Sequence, residues 1–154
     1  MLSLKHQIIQ FITMVLVGMM FNPMNVLAYR FNDLYISTTL FYGGLLMASN
    51  MIWSHEIVHY LSMGHFGLKT FIIGVLLSIS ITLFLLRKQF MVTKKQWLKR
   101  MISHHSTALT TTNKLLSDHK NLKDNQQLFK LANDIIYTQE REISMMKSML
   151  SDEL

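Results

Sequence analysis

Cysteine is absent from this chain of 154 residues, which excludes disulfides, thiolate metal sites and thiol nucleophiles. Charge is also scarce: 16% of the residues are charged, against roughly 25% in a typical soluble domain. The 15 Lys and Arg outnumber the 9 Asp and Glu, an excess that could suggest nucleic acid. The basic residues cluster just after the last apolar segment, however, and no nucleic-acid-reading motif accompanies them. We therefore expect a lipid bilayer, and no nucleic acid, as a partner.

Three apolar segments precede Arg87. A bilayer core about 30 Å thick needs about 20 mostly apolar residues in helical form. The pattern predicts a membrane domain over residues 1–90, with transmembrane helices at about 7–28, 34–63 and 68–90. A cleaved signal peptide is the alternative for the first segment, because Lys5 precedes its apolar run and Val26-Leu27-Ala28 resembles a cleavage site.

A second domain is expected over residues 91–154, where apolar residues recur at helical spacing on both sides of a polar break at 118–124. The predicted core stripe of the first helix consists of Trp97, Met101, Ala108 and Leu115. That of the second consists of Leu128, Leu131, Ala132, Ile135, Ile136, Ile143, Met146 and Met149. The prediction is an all-α protein in which three transmembrane helices are followed by an antiparallel helical hairpin.

Polar residues interrupt the inward faces of this hairpin. His105 follows Met101 by one helical turn, and Gln139 and Glu142 continue the stripe of the second helix. One interpretation is a His–Glu or His–Gln hydrogen bond that fixes the register of the hairpin. The other is a metal site, because imidazole binds divalent metals and thioethers select soft ions such as Cu(I). The available donors are Met101, His104, His105, Met145, Met146 and Met149.

Several motifs are similar to those of the family known as domain of unknown function 305. Met101-Ile-Ser-His104-His105 resembles its Met-Ile-Pro-His-His run, and Gln139-x-x-Glu142-Ile-x-x-Met146 its second motif. Residues 25–37, 42–47 and 87–92 resemble stretches of a membrane-anchored branch. Two positions depart from the family pattern: Ser103 replaces the usual Pro, which is expected only to relax a helix start, and Thr111 replaces a frequent Met.

This resemblance implies a ferritin-like helical fold, of which the hairpin is half, and copper binding in metal storage, sensing or tolerance, with zinc as the other possible metal. The implied ligands are His104, His105, Met101 and Met146, with Gln139 and Glu142 orienting the imidazoles. A second chain could complete the bundle, which makes a homo-oligomer a possible assembly. A structural oligomerisation module without metal is the alternative. The family implies a periplasmic hairpin, whereas the positive-inside rule places the basic cluster, and hence the hairpin, in the cytosol.

A weaker second site is predicted in the second apolar segment, where Met51, His55, His59 and Met63 recur every four residues on one helix face. These side chains could pass or hold a soft metal, or the methionines could pack against other spans while the histidines remain at the wet interface. His55-Glu56-x-x-His59 also matches the zinc-protease pattern His-Glu-x-x-His. A small intramembrane zinc protease is therefore a further alternative, although non-enzymatic metal binding is the favoured prediction.

Overall fold

The chain was examined as a computed structural model that describes residues 4–118 and 125–152. Its regular elements within those residues are all helical, which confirms the all-α prediction. Five long helices dominate: α1 (Leu4–Met20), α3 (Thr38–Met63), α4 (Leu68–Ser80), α5 (Lys94–Asp118) and α6 (Gln126–Asp152). A four-residue helix α2 (Pro23–Val26) and a 3₁₀ turn (Phe31–Asp33) lie between α1 and α3, and α4 continues as a π-helical segment over Ile81–Arg87.

Two compact units divide these elements. The first contains α1, α3, α4 and the π-helical segment. The second contains α5, α6 and residues 23–37, which we call the strap. The predicted boundary at residue 90 lies close to the observed change of unit after Val92, but the strap belongs with α5 and α6 rather than with the predicted membrane domain.

Helices of the first unit approach one another through small residues. A Cβ atom added to Gly44 of α3 would lie 2.8 Å from the carbonyl oxygen of Val15 in α1, and one added to Gly74 of α4 would lie 2.9 Å from the backbone nitrogen of Trp53 in α3. Ser78 of α4 donates a hydrogen bond of 3.1 Å to the hydroxyl of Ser49 in α3, where both are buried. Close backbone approach with hydroxyl bonds between helices is the packing that membrane helices favour.

Large apolar side chains of the first unit face outwards instead of inwards. Ile9 and Leu16 of α1 are 54% and 57% exposed, and Leu76 of α4 is 58% exposed. A water-soluble bundle would bury these side chains, at a gain of about 1.5–3 kcal/mol each. The described part of the first unit therefore has an apolar outer surface.

By length and composition, two of the described helical stretches could cross a membrane, Lys5–Val26 and Leu68–Arg87, rather than the predicted three. Helix α3 is long enough at 26 residues, but the polar residues Asn50, Ser54, His55, Glu56 and His59 lower its apolar character. The predicted bounds differ as well. Helix α1 ends at Met20, just before the lone proline Pro23, which begins α2. The second predicted helix begins at Thr38 rather than at residue 34, because residues 31–33 form the 3₁₀ turn.

In the second unit, α5 and α6 pack through an apolar core of Leu98, Ile102, Leu109, Ile143, Met146 and Leu150. The predicted stripe on α5 is wrong by about one residue, since Trp97 is 51% exposed while Leu98 is buried. On α6, Ala132, Ile143 and Met146 are buried as predicted, whereas Leu131 and Met149 are 55% and 50% exposed. The hairpin stays a prediction because 119–124, most of its turn, falls outside the described residues.

A second flank of α5, rich in hydroxyls, holds the strap. Ser106 donates a hydrogen bond of 2.6 Å to Oδ2 of Asp33, which is fully buried. Ser103 donates one of 2.8 Å to the Asp33 carbonyl oxygen, and the Tyr29 amide donates to Ser106 Oγ at 2.8 Å. Ser103 lies nine residues inside α5, so the expectation that it relaxes a helix start is wrong: it anchors the strap.

Helix α6 supplies the charges opposite the strap. The Lys147 ammonium lies 2.5 Å from Asp33 Oδ1, and Arg30 Nη2 donates to Glu140 Oε1 at 3.2 Å. The Arg30–Glu140 pair is exposed and contributes little. The Asp33–Lys147 pair matters more, because a buried carboxylate without its cation is strongly destabilising.

Candidate metal centre

His105 and Glu142 meet across the interface between α5 and α6. The His105 Nδ1 atom lies 3.0 Å from Glu142 Oε2, and the two side chains are 13% and 38% exposed. The two atoms are close enough for an ion pair, but their geometry does not meet the criteria for a hydrogen bond. Packing therefore directs one edge of the imidazole at the carboxylate and leaves Nε2 as the other donor atom.

Burial lowers the pKa of His105 below its ordinary value of 6.5. The Glu142 carboxylate raises this pKa and neighbouring His104 lowers it, so the desolvation effect prevails. Near neutral pH the ring is therefore uncharged. A neutral ring with its proton on Nδ1, facing the carboxylate, presents a lone pair on Nε2, which is the form that binds a metal ion.

His104 does not share this environment. Its side chain is exposed, and its ring centroid lies 5.8 Å from that of His105 with the planes at 61°. Consecutive helical residues differ by about 100° in direction. The structure therefore brings His105 to Glu142 but leaves His104 at the rim, where it reaches a ligand only from the solvent side.

The thioethers fall into two groups. Met146 is 7% exposed and belongs to the apolar core, whereas Met145 and Met149 are each 50% exposed. Glu142, Met145 and Met149 share one flank of α6 at i, i+3 and i+7 spacing. Met101, half-buried beside the core, lies one turn before His105 on α5. Met145 and Met149 are thus better placed as soft donors than Met146, and the sequence pattern did not separate them. Gln139 is half-buried on α6.

These residues occupy the side of the α5–α6 pair that the strap leaves uncovered. On a helical projection of α5, Met101 and His104 lie on the opposite flank from Ser103 and Ser106. We call the uncovered side the open flank and define it by Met101, His104, His105, Glu142, Met145 and Met149. Within residues 4–118 and 125–152, no three His, Asp or Glu side chains converge on a point that could hold a metal ion. A metal bound through His105 would therefore need thioethers or groups from a second chain.

The other predicted cluster lies near the end of α3. The rings of His55 and His59 have centroids 6.1 Å apart, and Met51 and Met63 beside them are 41% and 70% exposed. The Glu56 Oε2 atom accepts a hydrogen bond of 2.9 Å from the Gly67 amide, just before α4. A Cβ atom at residue 67 would lie 2.7 Å from that oxygen, so the end of the Glu56 side chain would have to shift. The Glu56 carboxylate is thus held by the backbone of the loop that precedes α4.

Comparisons with known proteins agree with the motifs around this centre. The family model described as domain of unknown function (DUF305) matches residues 86–151. The uncharacterized protein L153 of Acanthamoeba polyphaga mimivirus is 33% identical over 132 residues, which cover 85% of this chain and 82% of that protein. No solved structure matches the chain. With a relative this similar over most of both lengths, and with the family's motifs on α5 and α6, the chain belongs to the DUF305 family.

Proposed function

We propose that the protein is a membrane-anchored metal-binding protein that holds copper at the open flank, in metal storage, sensing or tolerance. The observation that carries the proposal is the contact between His105 Nδ1 and Glu142 Oε2. A carboxylate behind a histidine fixes the ring and raises its basicity, an arrangement that metal-binding histidines repeatedly show. The chain would offer copper an oriented, neutral imidazole as a ligand.

The donor types on the open flank support copper over other metals. Imidazole nitrogen and thioether sulfur together suit Cu(I), while hard cations prefer oxygen. Three methionines accompany the histidines, and two of them are half exposed. Zinc is the second metal to test, because imidazole also binds zinc. Thioethers are not usual zinc ligands, which is why copper is preferred.

A second chain is the natural source of further ligands. Four-helix bundles build metal sites from side chains on facing helices. The α5–α6 pair would be half of such a ferritin-like bundle, and its open flank carries the exposed apolar side chains of Met145 and Met149. Two copies that packed these flanks together would bring two His105 rings into one interior.

Membrane anchoring follows from the first unit and from a parity argument. The strap and α5–α6 form one folded unit, so they lie on the same side of any membrane. Residues 38–92 must then cross the membrane an even number of times. If residues 68–87 cross, α3 must cross as well, although it is not apolar enough by composition alone. Packing of α3 against α1 and α4 partly buries its polar residues Asn50 and Ser54, whereas His55 is exposed.

Two signals favour opposite sides of the membrane for α5 and α6. The basic residues that follow Leu86 favour the cytosol, whereas the family's link with copper favours the periplasm. Attachment of a membrane-impermeant reagent to a cysteine introduced at exposed Ser117 in intact cells tests this. The chain has no native cysteine to interfere.

The test of function is anaerobic Cu(I) titration of the full chain in detergent, against a competing chelator. We expect tight binding that is lost in the His104→Ala/His105→Ala variant and weakened about 10–100-fold in Glu142→Gln, since outer partners of ligands have effects of this size. Equal binding by all three proteins would reject the open flank as the site.

A structural module without metal is the second candidate, because the same His105–Glu142 contact could serve only to join α5 to α6. Replacing His105 by Leu would then preserve or raise stability, since apolar residues often replace buried polar pairs without loss. Loss of copper binding without loss of stability in His105→Leu favours the metal site. Unchanged copper binding with raised stability favours the structural module.

A further inference from the structure

His55 and His59 form a pair of donors on the last turns of α3, in the first unit. Residues four apart on a helix lie one above the other on the same face. The two ring centroids are 6.1 Å apart with the planes inclined at 43°. Two imidazoles at this separation can direct one nitrogen each towards a common point between and outside the rings.

The loop after α3 fixes the proton of His59. Its Nδ1 atom lies 2.9 Å from the backbone carbonyl oxygen of His65. A carbonyl oxygen can only accept a hydrogen bond, so Nδ1 carries the proton and Nε2 carries the lone pair. This support of a ring from behind by a carbonyl is a usual feature of metal-binding histidines.

Glu56 supports the orientation of the His59 ring but is not proposed as a ligand. Its carboxylate is held by the Gly67 amide, which keeps the loop of residues 64–67 against α3 and so keeps the His65 carbonyl in place. Gly64 permits the turn, since its φ of +72° is in the left-handed region that ends helices. The backbone of this loop, rather than a mobile side chain, thus orients the His59 ring.

We infer that His55 and His59 bind a borderline divalent cation, Cu(II) more tightly than Zn(II), through two imidazole nitrogens. Imidazole suits these ions, and Cu(II) leads the divalent series for nitrogen donors. With Glu56 engaged, the pair binds metal without the base that hydrolysis would require. The site differs from the open flank, where thioethers accompany the imidazole and favour Cu(I).

Competition titration with Cu(II) and Zn(II) tests this site in the full chain in detergent. The titration uses a His104→Ala/His105→Ala background, so the open flank contributes no imidazole. We expect His55→Ala and His59→Ala each to weaken Cu(II) binding at least 10-fold, and Glu56→Gln to leave it unchanged, since a glutamine oxygen still accepts from Gly67. Wild-type affinity in either histidine variant would overturn the inference.

A rescue experiment separates a chelating pair from loose histidine binding. In the His59→Ala chain, Met51→His restores a four-residue spacing with His55, whereas Ile57→His places the new ring on another face. Both positions are similarly exposed, at 41% and 38%. Recovery of Cu(II) binding by Met51→His and not by Ile57→His supports the pair. Equal recovery by both, or by neither, contradicts it.

Discussion

Removal of the Lys147 ammonium is expected to loosen the strap from α5 and α6. In Lys147→Met the side-chain length is kept, but Asp33 keeps a buried carboxylate whose remaining side-chain partner is the Ser106 hydroxyl. Breaking a buried pair by removing one partner costs about 3–5 kcal/mol. The Lys147 side chain is 30% exposed, so water screens part of the interaction and we expect about 2–4 kcal/mol.

Thermal unfolding of the full chain, followed by Trp97 fluorescence in a Trp53→Phe background, measures this loss in the second unit. A destabilisation of about 2–4 kcal/mol should lower the Tm by roughly 8–32 °C, given 4–8 °C per kcal/mol for a domain of this size. Lys114→Met is the matched control, because Lys114 pairs with Asp118 on the surface at 3.0 Å. Its Tm should change by no more than about 2–4 °C.

The double variant Asp33→Asn/Lys147→Met distinguishes the buried pair from a general effect of the lysine. Removing both charges eliminates the unpaired carboxylate, so the double variant should be more stable than Lys147→Met alone. A Tm for Lys147→Met equal to that of Lys114→Met would refute the reasoning. So would a double variant that is less stable than the single one.

Further predictions concern the open flank, the helix crossing and the strap. Burial lowers the pKa of His105 in the folded protein, so the unfolded chain binds more protons in acid. Stability should therefore fall as the pH drops through 6.5 towards the lower pKa of the folded state. Urea titrations at several pH values should show a flatter dependence of stability on pH for His105→Gln. Gly44→Ala should destabilise the first unit by about 1–3 kcal/mol through overpacking against Val15, as measured by unfolding in a denaturing detergent. Gly43→Ala, whose Cβ meets nothing within 4 Å, should not. Ser103→Ala should lose about 1–2 kcal/mol in the same urea assay by leaving the Asp33 carbonyl without its donor; an unchanged midpoint would contradict the anchoring role.

Helix content and the main apolar segments could be predicted from the sequence because apolar periodicity is a local signal. The sequence also placed His105 and Glu142 on inward faces of two helices, and the structure brings them within 3.0 Å. That this pair helps to bind copper stays a prediction. The choice of Met146 as a ligand could not be refined, because burial in the core depends on packing rather than on spacing.

The strap could not be predicted. Asp33 directly precedes the second predicted span, which begins at about residue 34, yet it is fully buried between hydroxyls of α5 and an ammonium from α6. Its partners lie more than 70 residues away along the chain, and no periodic pattern reports such pairings. Ser103 and Ser106 lie on a polar helix face, which the apolar pattern assigns to solvent. A serine in place of the family's proline was the one signal that could have pointed to this contact.

Helix α3 shows a limit of composition. Its polar residues disqualify it as a span when it is considered alone, but it packs against two other helices, and its buried residues other than Leu40 are small or hydroxyl-bearing. Hydropathy averages over all faces of a helix, so a helix sheltered by its neighbours looks less apolar than one that faces lipid.

X-ray absorption at the copper edge, on the Cu(I)-loaded full chain in the His55→Ala/His59→Ala background, tests the central claim most directly. We expect copper ligands that include both imidazole nitrogen and thioether sulfur, with the nitrogen signal lost in a further His105→Ala variant. A shell of nitrogen and oxygen alone, or one unchanged by His105→Ala, would contradict copper binding at the open flank.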